Sequence, residues 1–239
     1  MKKLMLFSLL FASLSSCNNN TETPKEEPKK AADTVAATAP PPAEVFKPIN
    51  AVLIKHTVAD YAKWKIAFDA DSSFRKAAGL NLMGPVARGL ENKNMVEIAL
   101  AMDDIKKAKE FAANPRLKEV MQKGGVISAP RLDYYSIVRF DPMVDKQNLP
   151  YVEIAIKVKD FDTWVKAFDA EGKAQRETEG TLDLALAHGI DDQNTVVIVF
   201  AITNMEKFKT AMASEGKKKI IMDSGVIGKP EMSYFQNEK

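Results

Sequence analysis

Residues 51–70 read AVLIKHTVADYAKWKIAFDA and residues 151–170 read YVEIAIKVKDFDTWVKAFDA. Laid over each other at an offset of one hundred, they share Val52, Ile54, Val58, Asp60, Trp64 and Ala67-Phe68-Asp69-Ala70 with Val152, Ile154, Val158, Asp160, Trp164 and Ala167-Phe168-Asp169-Ala170. The offset holds onward, where Leu82, Gly89, Asn94, Val96, Ile98, Gly125, Val126, Ile127, Pro130 and Tyr134 all recur. About 25 identities over about 87 positions with no net gap exceed what unrelated segments show. The chain therefore carries two copies of one module, 47–140 and 150–239, joined by a linker over 141–149 that holds Pro142.

Each copy reads strand, helix, strand, strand, helix, strand. Residues 51–58 and 151–158 alternate, with Val52, Ile54, His56 and Val58 on one face and Ala51, Leu53, Lys55 and Thr57 on the other, the period of a strand. Asp60 and Asp160 follow as N-caps, and Tyr61, Trp64, Ala67 and Phe68 then recur at helical spacing as far as Gly79, or Gly180 in the second copy. Two strands joined as hairpins span about 81–89 and 94–102. Asn114-Pro115 interrupts the second helix, and strand four covers about 130–139 and 230–236. The order βαββαβ is the ferredoxin-like unit, α+β in class, with both helices on one face of an antiparallel sheet. Its strand order of four-one-three-two places strand two at an edge, where Pro85 costs no ladder bond. The sheet's other face needs a cover, and a second copy in the same chain supplies one.

The run His56-x-Val58-x-Asp60-Tyr61-x-x-Trp64-Lys65-x-x-Phe68-Asp69, then Arg88-Gly89, then Asn114-Pro115-x-Leu117-Lys118-Glu119-x-Met121-x-x-Gly124-Gly125-Val126, resembles the dimeric α/β-barrel superfamily, above all its antibiotic-biosynthesis-monooxygenase-like domains. The resemblance covers both modules. It implies two ferredoxin-like units with their sheets face to face, here as a pseudo-dimeric α/β barrel within one chain. Members include cofactor-independent oxygenases and haem-dependent enzymes, and in the monooxygenase-like members a pocket lies between the helices and the sheet.

Composition narrows the rest. The 239 residues are 46% hydrophobic and 28% charged, which excludes a disordered chain and a multi-span membrane protein. A net charge of +2 from 34 basic and 32 acidic residues supplies no concentrated positive surface for nucleic acid. The N-terminus reads Met1-Lys2-Lys3, an apolar run over 4–14, then Ser15-Ser16-Cys17, an export signal too short to span a bilayer. Leu14-Ser15-Ser16-Cys17 resembles the bacterial lipobox, which implies cleavage before Cys17 and acylation of its thiol. The expected organisation is a lipoprotein signal peptide over 1–17, a Pro-, Thr- and charge-rich tether over 18–46, and the two modules. The lipid bilayer, through acylated Cys17, is the expected partner. Asn18 in place of Asp favours the outer membrane of the envelope over the inner.

Two groups of residues are candidates for chemistry. Strand parity sends His56 and Arg88 to the side facing Trp64, where a base, an anion-binding group and an aromatic would suit a planar acidic molecule. The second copy offers Trp164 and His188 but replaces His56 with Ile156. The same residues also read as packing: a strand-end histidine bonded to backbone, core tryptophans and a solvated arginine. The opposite strand face, inside the expected barrel, carries Lys55, Glu97, Asp133 and Tyr135 from the first copy and Glu153, Lys157 and Asp183 from the second. Charges there must pair or meet water, as ion pairs between modules or as the lining of a small polar cavity. No metal-ligand spacing, phosphate loop or nucleophile elbow occurs, and no cofactor is expected. The reading is a monomeric, membrane-anchored envelope lipoprotein whose tandem barrel binds a small molecule or acts as an accessory module. The alternatives are a cofactor-independent monooxygenase-like enzyme with its pocket in the first module, and a structural envelope protein. The enzyme requires a connected cavity reaching His56 and Arg88; the structural protein requires no cavity at all.

Overall fold

A computed structural model describes residues 46–238, so the expectations for the signal peptide, Cys17 and the tether up to residue 45 lie outside the described residues. The first module comprises β1 (Ile49–Thr57), α1 (Tyr61–Ala70), α2 (Ser72–Ala77), β2 (Leu80–Leu82), β3 (Ala87–Gly89), β4 (Met95–Met102), α3 (Ile105–Ala112), α4 (Pro115–Lys123) and β5 (Arg131–Phe140). A short α5 (Pro142–Asp145) follows. The second module comprises β6 (Tyr151–Val158), α6 (Phe161–Glu171), α7 (Lys173–Thr178), β7 (Thr181–Gly189), β8 (Thr195–Ile202), α8 (Met205–Ala213), α9 (Glu215–Asp223) and β9 (Val226–Asn237).

Local chemistry sets the element ends. Asp60 and Asp160 accept from the backbone N–H of Lys63 and Thr163, each at 2.8 Å, and so satisfy donors that the first helical turn leaves free. Asn114 caps α4 through Arg116 N–H at 2.9 Å, with Pro115 in the first helical position, where its missing N–H costs nothing. Gly180 turns the chain at a φ of 88°, and a Cβ there would lie 2.5 Å from the Asn204 carbonyl oxygen.

Within each module the antiparallel order is β5-β1-β4 with β3 and β2, and β9-β6-β8-β7, the four-one-three-two arrangement of the ferredoxin-like unit. Strand two of each module is an edge over only part of its length: β2 has β4 alone as a partner, whereas β3 and the second half of β7 do not end the sheet. They pair with strand four of the other module: Gly89 with Phe235 across β3 and β9, and Tyr135 with Gly189 across β5 and β7. Counted as one interrupted strand, β2 and β3 complete a closed ring of eight. The interruption falls at Gly84-Pro85, since proline has no N–H for the ladder; the second copy has Leu184-Ala185 there and runs unbroken as β7. The segment read as a plain linker contains α5, capped by Asp141, and its Val144 packs on Leu184 and Ala201.

The helices cover the outer face of the ring. Val52, Ile54, Trp64, Val96, Ile98, Leu100 and Phe111 form one core, and Val152, Ile154, Trp164, Val196, Ile198, Phe200 and Phe208 its counterpart. At the seam between modules, Phe235 is fully buried against Ala87 and Tyr151. Phe235→Ala is expected to cost about 3–5 kcal/mol of stability in urea unfolding. Because that side chain belongs to both halves, Trp64 and Trp164 fluorescence should still report one shared transition.

Candidate functional site

The inner wall of the ring explains its interior. On β1, β4 and β7 the inward positions include Ala51, Ala99, Ala101, Ala185 and Ala187, where larger side chains would fill an eight-stranded barrel. These small residues leave a cavity of about 430 Å³. Its walls are Leu53, Ile137, Val197 and Val199, and Tyr135, Tyr151, Asp145, Glu97 and Glu153 contribute polar atoms. Neither histidine lines it.

Beyond Glu153 a second cavity of about 320 Å³ is lined by Lys55, His56, Thr57, Ser128, Arg131, Glu231 and Ser233. A charged cluster thus partitions the barrel interior. Lys55 and Glu97 are register partners on β1 and β4, and Glu153 reaches them from β6. Lys55 Nζ forms a close ion pair with Glu153 Oε1 and lies 3.6 Å from Glu97 Oε2. The Tyr151 hydroxyl donates to Glu97 Oε1 at 2.7 Å. Both carboxyls are buried, at 6% and 3% exposure. Burial, and then the charge of Glu153, hold the Glu97 carboxyl well above its ordinary pKa of 4.5, against the pull of Lys55. Lys55 sits closer to Glu153 than to Glu97, so burial of Glu97 is the less compensated and favours its neutral form. The Oε2 atoms of both carboxyls are buried with no hydrogen-bond partner among the described residues. One lysine, one carboxylate and one carboxylic acid make the cluster neutral, the condition under which buried charge is tolerable.

The other inward candidates separate. Tyr135 is buried on the cavity wall, and burial, with Asp133 and Glu153 nearby, pushes its phenol pKa up. Asp133 stands at the rim, 2.6 Å from Arg131, which also reaches Glu231 at 3.1 Å. Lys157 does not enter the lumen: it is exposed and pairs with Asp192 in the turn before β8. Asp183 also lies outside. A register shift between Asp183 and Ala185 reverses strand parity, so Asp183 turns to the helices and takes both Nε and Nη2 of Arg176 at 2.7 Å. Sequence comparison missed Arg176 and its counterpart Arg75. Each is buried, donates to the carbonyl of Phe168 or Phe68 and stacks on that ring, but a one-residue slip hides them from the offset of one hundred.

On the outer face, His56 and Arg88 flank Val96 in one row across β1, β4 and β3. His56 is buried with its ring 5.5 Å from Trp64, edge to face, and neither ring nitrogen has a hydrogen-bond partner among the described residues. Desolvation lowers its pKa from 6.5 to about 4. The space beside His56 and Trp64 measures about 50 Å³, room for no more than a few waters. Arg88 does not line it. Its guanidinium stacks on Tyr61 at 4.2 Å, donates to the Lys93 carbonyl and meets Glu238 at 3.2 Å, so the three residues share a face but no cavity. In the second module, Trp164 borders a space of about 70 Å³. His188 lies edge to face with Phe161, with Nδ1 3.0 Å from the Gly189 carbonyl oxygen. Among the described residues no group of three His, Cys, Asp or Glu is placed to hold a metal ion, and no helix is long and apolar enough to cross a membrane.

No family model and no curated protein matches the chain. Solved structures do match. An anthrone oxidase-like protein superposes over 80% of this chain and 92% of its own, at 13% identity and a TM-score of 0.54. A proposed monooxygenase from Fusobacterium nucleatum covers 80% and 93% at 12% identity, TM-score 0.50. A proposed chlorite dismutase covers 81% and 96% at 13% identity, TM-score 0.50. The likeness is one of fold: an α+β barrel of paired ferredoxin-like units. In this barrel both sheets come from one chain, and the cavity of about 430 Å³ between the sheets exceeds the spaces beneath the helices.

The buried imidazole has a measurable signature. The unfolded chain takes up a proton at His56 below pH 6.5, whereas the folded chain resists until about pH 4. Stability is therefore complete above the unfolded pKa and is lost as pH falls through this window, by roughly 3 kcal/mol. His56→Phe, which removes two unpartnered ring nitrogens, is expected to be at least as stable as the parent at neutral pH and to lose that share of the acid sensitivity. Urea midpoints measured across the window check both.

Proposed function

We propose that this chain is a lipid-anchored envelope protein whose barrel lumen binds one small, largely apolar molecule. The observation that carries the reading is the cavity of about 430 Å³, with apolar walls and a few converging polar groups, within the range of small-molecule sites. Related folds bear names such as anthrone oxidase-like protein, which accords with a fold that admits small organic molecules. For the monooxygenase-like alternative in the first module, His56 borders spaces of about 50 and 320 Å³, but Arg88 lines neither. A purely structural role leaves the larger cavity without a use. Each chain supplies both halves of the barrel, so the reading takes it as a monomer.

A neutral fluorescent probe, N-phenylnaphthylamine, should bind the full chain with enhanced emission. Ala99→Phe combined with Ala185→Phe, both inside the lumen, should weaken that binding at least about tenfold, since the cavity that buries the ligand is lost. Unchanged affinity in a variant with the parent's urea midpoint would exclude the lumen.

Anchoring is supported by Cys17 directly after the apolar run and Leu14-Ser15-Ser16, and Asn18 favours the outer membrane. Expressed in a bacterial host, the chain should incorporate labelled fatty acid and enter the detergent phase on cloud-point separation. Cys17→Ser should abolish both; a serine variant that keeps its label would place the lipid elsewhere.

A further inference from the structure

The charge lining the larger cavity is of one sign. Glu97, Glu153 and Asp145 border it with two phenols, and no lysine, arginine or histidine does; Lys55 faces the smaller cavity from beyond Glu153. An anionic ligand would give up its hydration there and find no basic side chain on the wall, whereas a cation finds carboxyl oxygens in an apolar chamber. The carboxyl pair in the partition is built to receive one. Glu97 and Glu153 are each more than nine-tenths buried. Glu97 Oε1 accepts from Tyr151 and Glu153 Oε1 pairs with Lys55, while the Oε2 atoms of both have no hydrogen-bond partner among the described residues.

Resting on the reading of the lumen as a binding site, we propose that its ligand is an apolar amine whose ammonium is held by the carboxyls of Glu97 and Glu153. The charges balance. Without ligand, Lys55 and one carboxylate cancel; with it, Lys55 and the ammonium face two carboxylates, and one proton leaves to solvent. The groups around Glu97 make it the donor of that proton. Lys55 lies beside it on β1, Ala87 on β3 adds no charge, and Tyr151 and Glu153 face it from β6. Glu153 stays in its ion pair, and Asp145 adds further negative charge near Tyr151. The chamber accommodates the apolar body, and its acidic lining selects the head group.

Calorimetry on the full chain with three matched probes, naphthylmethylamine, naphthylmethanol and naphthoic acid, tests this. Near neutral pH the amine is expected to bind at least about tenfold tighter than the alcohol, as one charge-assisted hydrogen bond implies, with the acid undetectable. Repeating the titration in two buffers of different protonation heat should show close to one proton released per amine. Affinity should rise by up to about tenfold per pH unit while Glu97 holds its proton. Glu97→Gln should bring the ratio of amine to alcohol affinity close to one and abolish the release; if it does not fold, the probe series and buffer comparison on the natural chain decide the question unaided. An alcohol or acid that binds as tightly as the amine, or amine binding without proton release, overturns the assignment of the ligand but leaves the lumen as a site. Failure of all three probes, together with the neutral fluorescent one, overturns both.

Discussion

The molecule depends on two short seams of backbone hydrogen bonding, β3 with β9 and β5 with β7. A ferredoxin-like unit has helices on one face and leaves strand two and the opposite sheet face without a cover. Crossing strand two of each copy to strand four of the other closes the second half of each edge and rolls the bare faces into one interior. Phe235, fully buried where β9 meets β3, belongs to both copies at once, so neither half is complete without the other.

Closure creates a second constraint. An eight-stranded ring is about wide enough for its own side chains, and this one is lined at several inward positions by alanine. The interior is therefore partly open, and polar residues that reach it have no bulk water to rely on. Lys55, Glu97 and Glu153 meet that condition through neutrality: an ion pair and a neutral carboxyl, with the Tyr151 hydroxyl on one of its oxygens. The cluster is the wall between two cavities, so the residues that balance buried charge are also those an incoming head group meets.

Duplication has preserved the outer cores and altered the inner wall. Trp64 and Trp164, Val96 and Val196, and Ile98 and Ile198 keep their places under the helices. Inside, Glu97 faces Val197, and Ala99 faces Val199 in the sequence comparison; Lys55 corresponds to Ala155 and Leu53 to Glu153. A symmetric barrel would place like charges opposite each other. The divergence instead sets Lys55 of one copy against Glu153 of the other.

Much of the architecture is written in local pattern. The period-two alternation of 51–58 and 151–158, the aspartate caps and the hundred-residue offset suffice for βαββαβ twice over, because strands and helices answer to short-range sterics and hydrogen bonding. The need to cover a bare sheet face then implies the barrel. Site geometry was less legible. His56, Arg88 and Trp64 share a face as parity requires, but Tyr61 and Glu238 draw Arg88 out of the cavity. Asp183 and Lys157 looked inward by alternation, yet a register shift turns one to Arg176 and the nearby Asp192 draws the other to the rim. The alanines carry no chemistry of their own, so their message, an open lumen, exists only once the ring has closed. Periodicity determines which face a residue occupies over a few positions of chain; shifts of register, the partner across the ring and the space left between walls are set by contacts about a hundred residues apart, and those only the folded molecule decides.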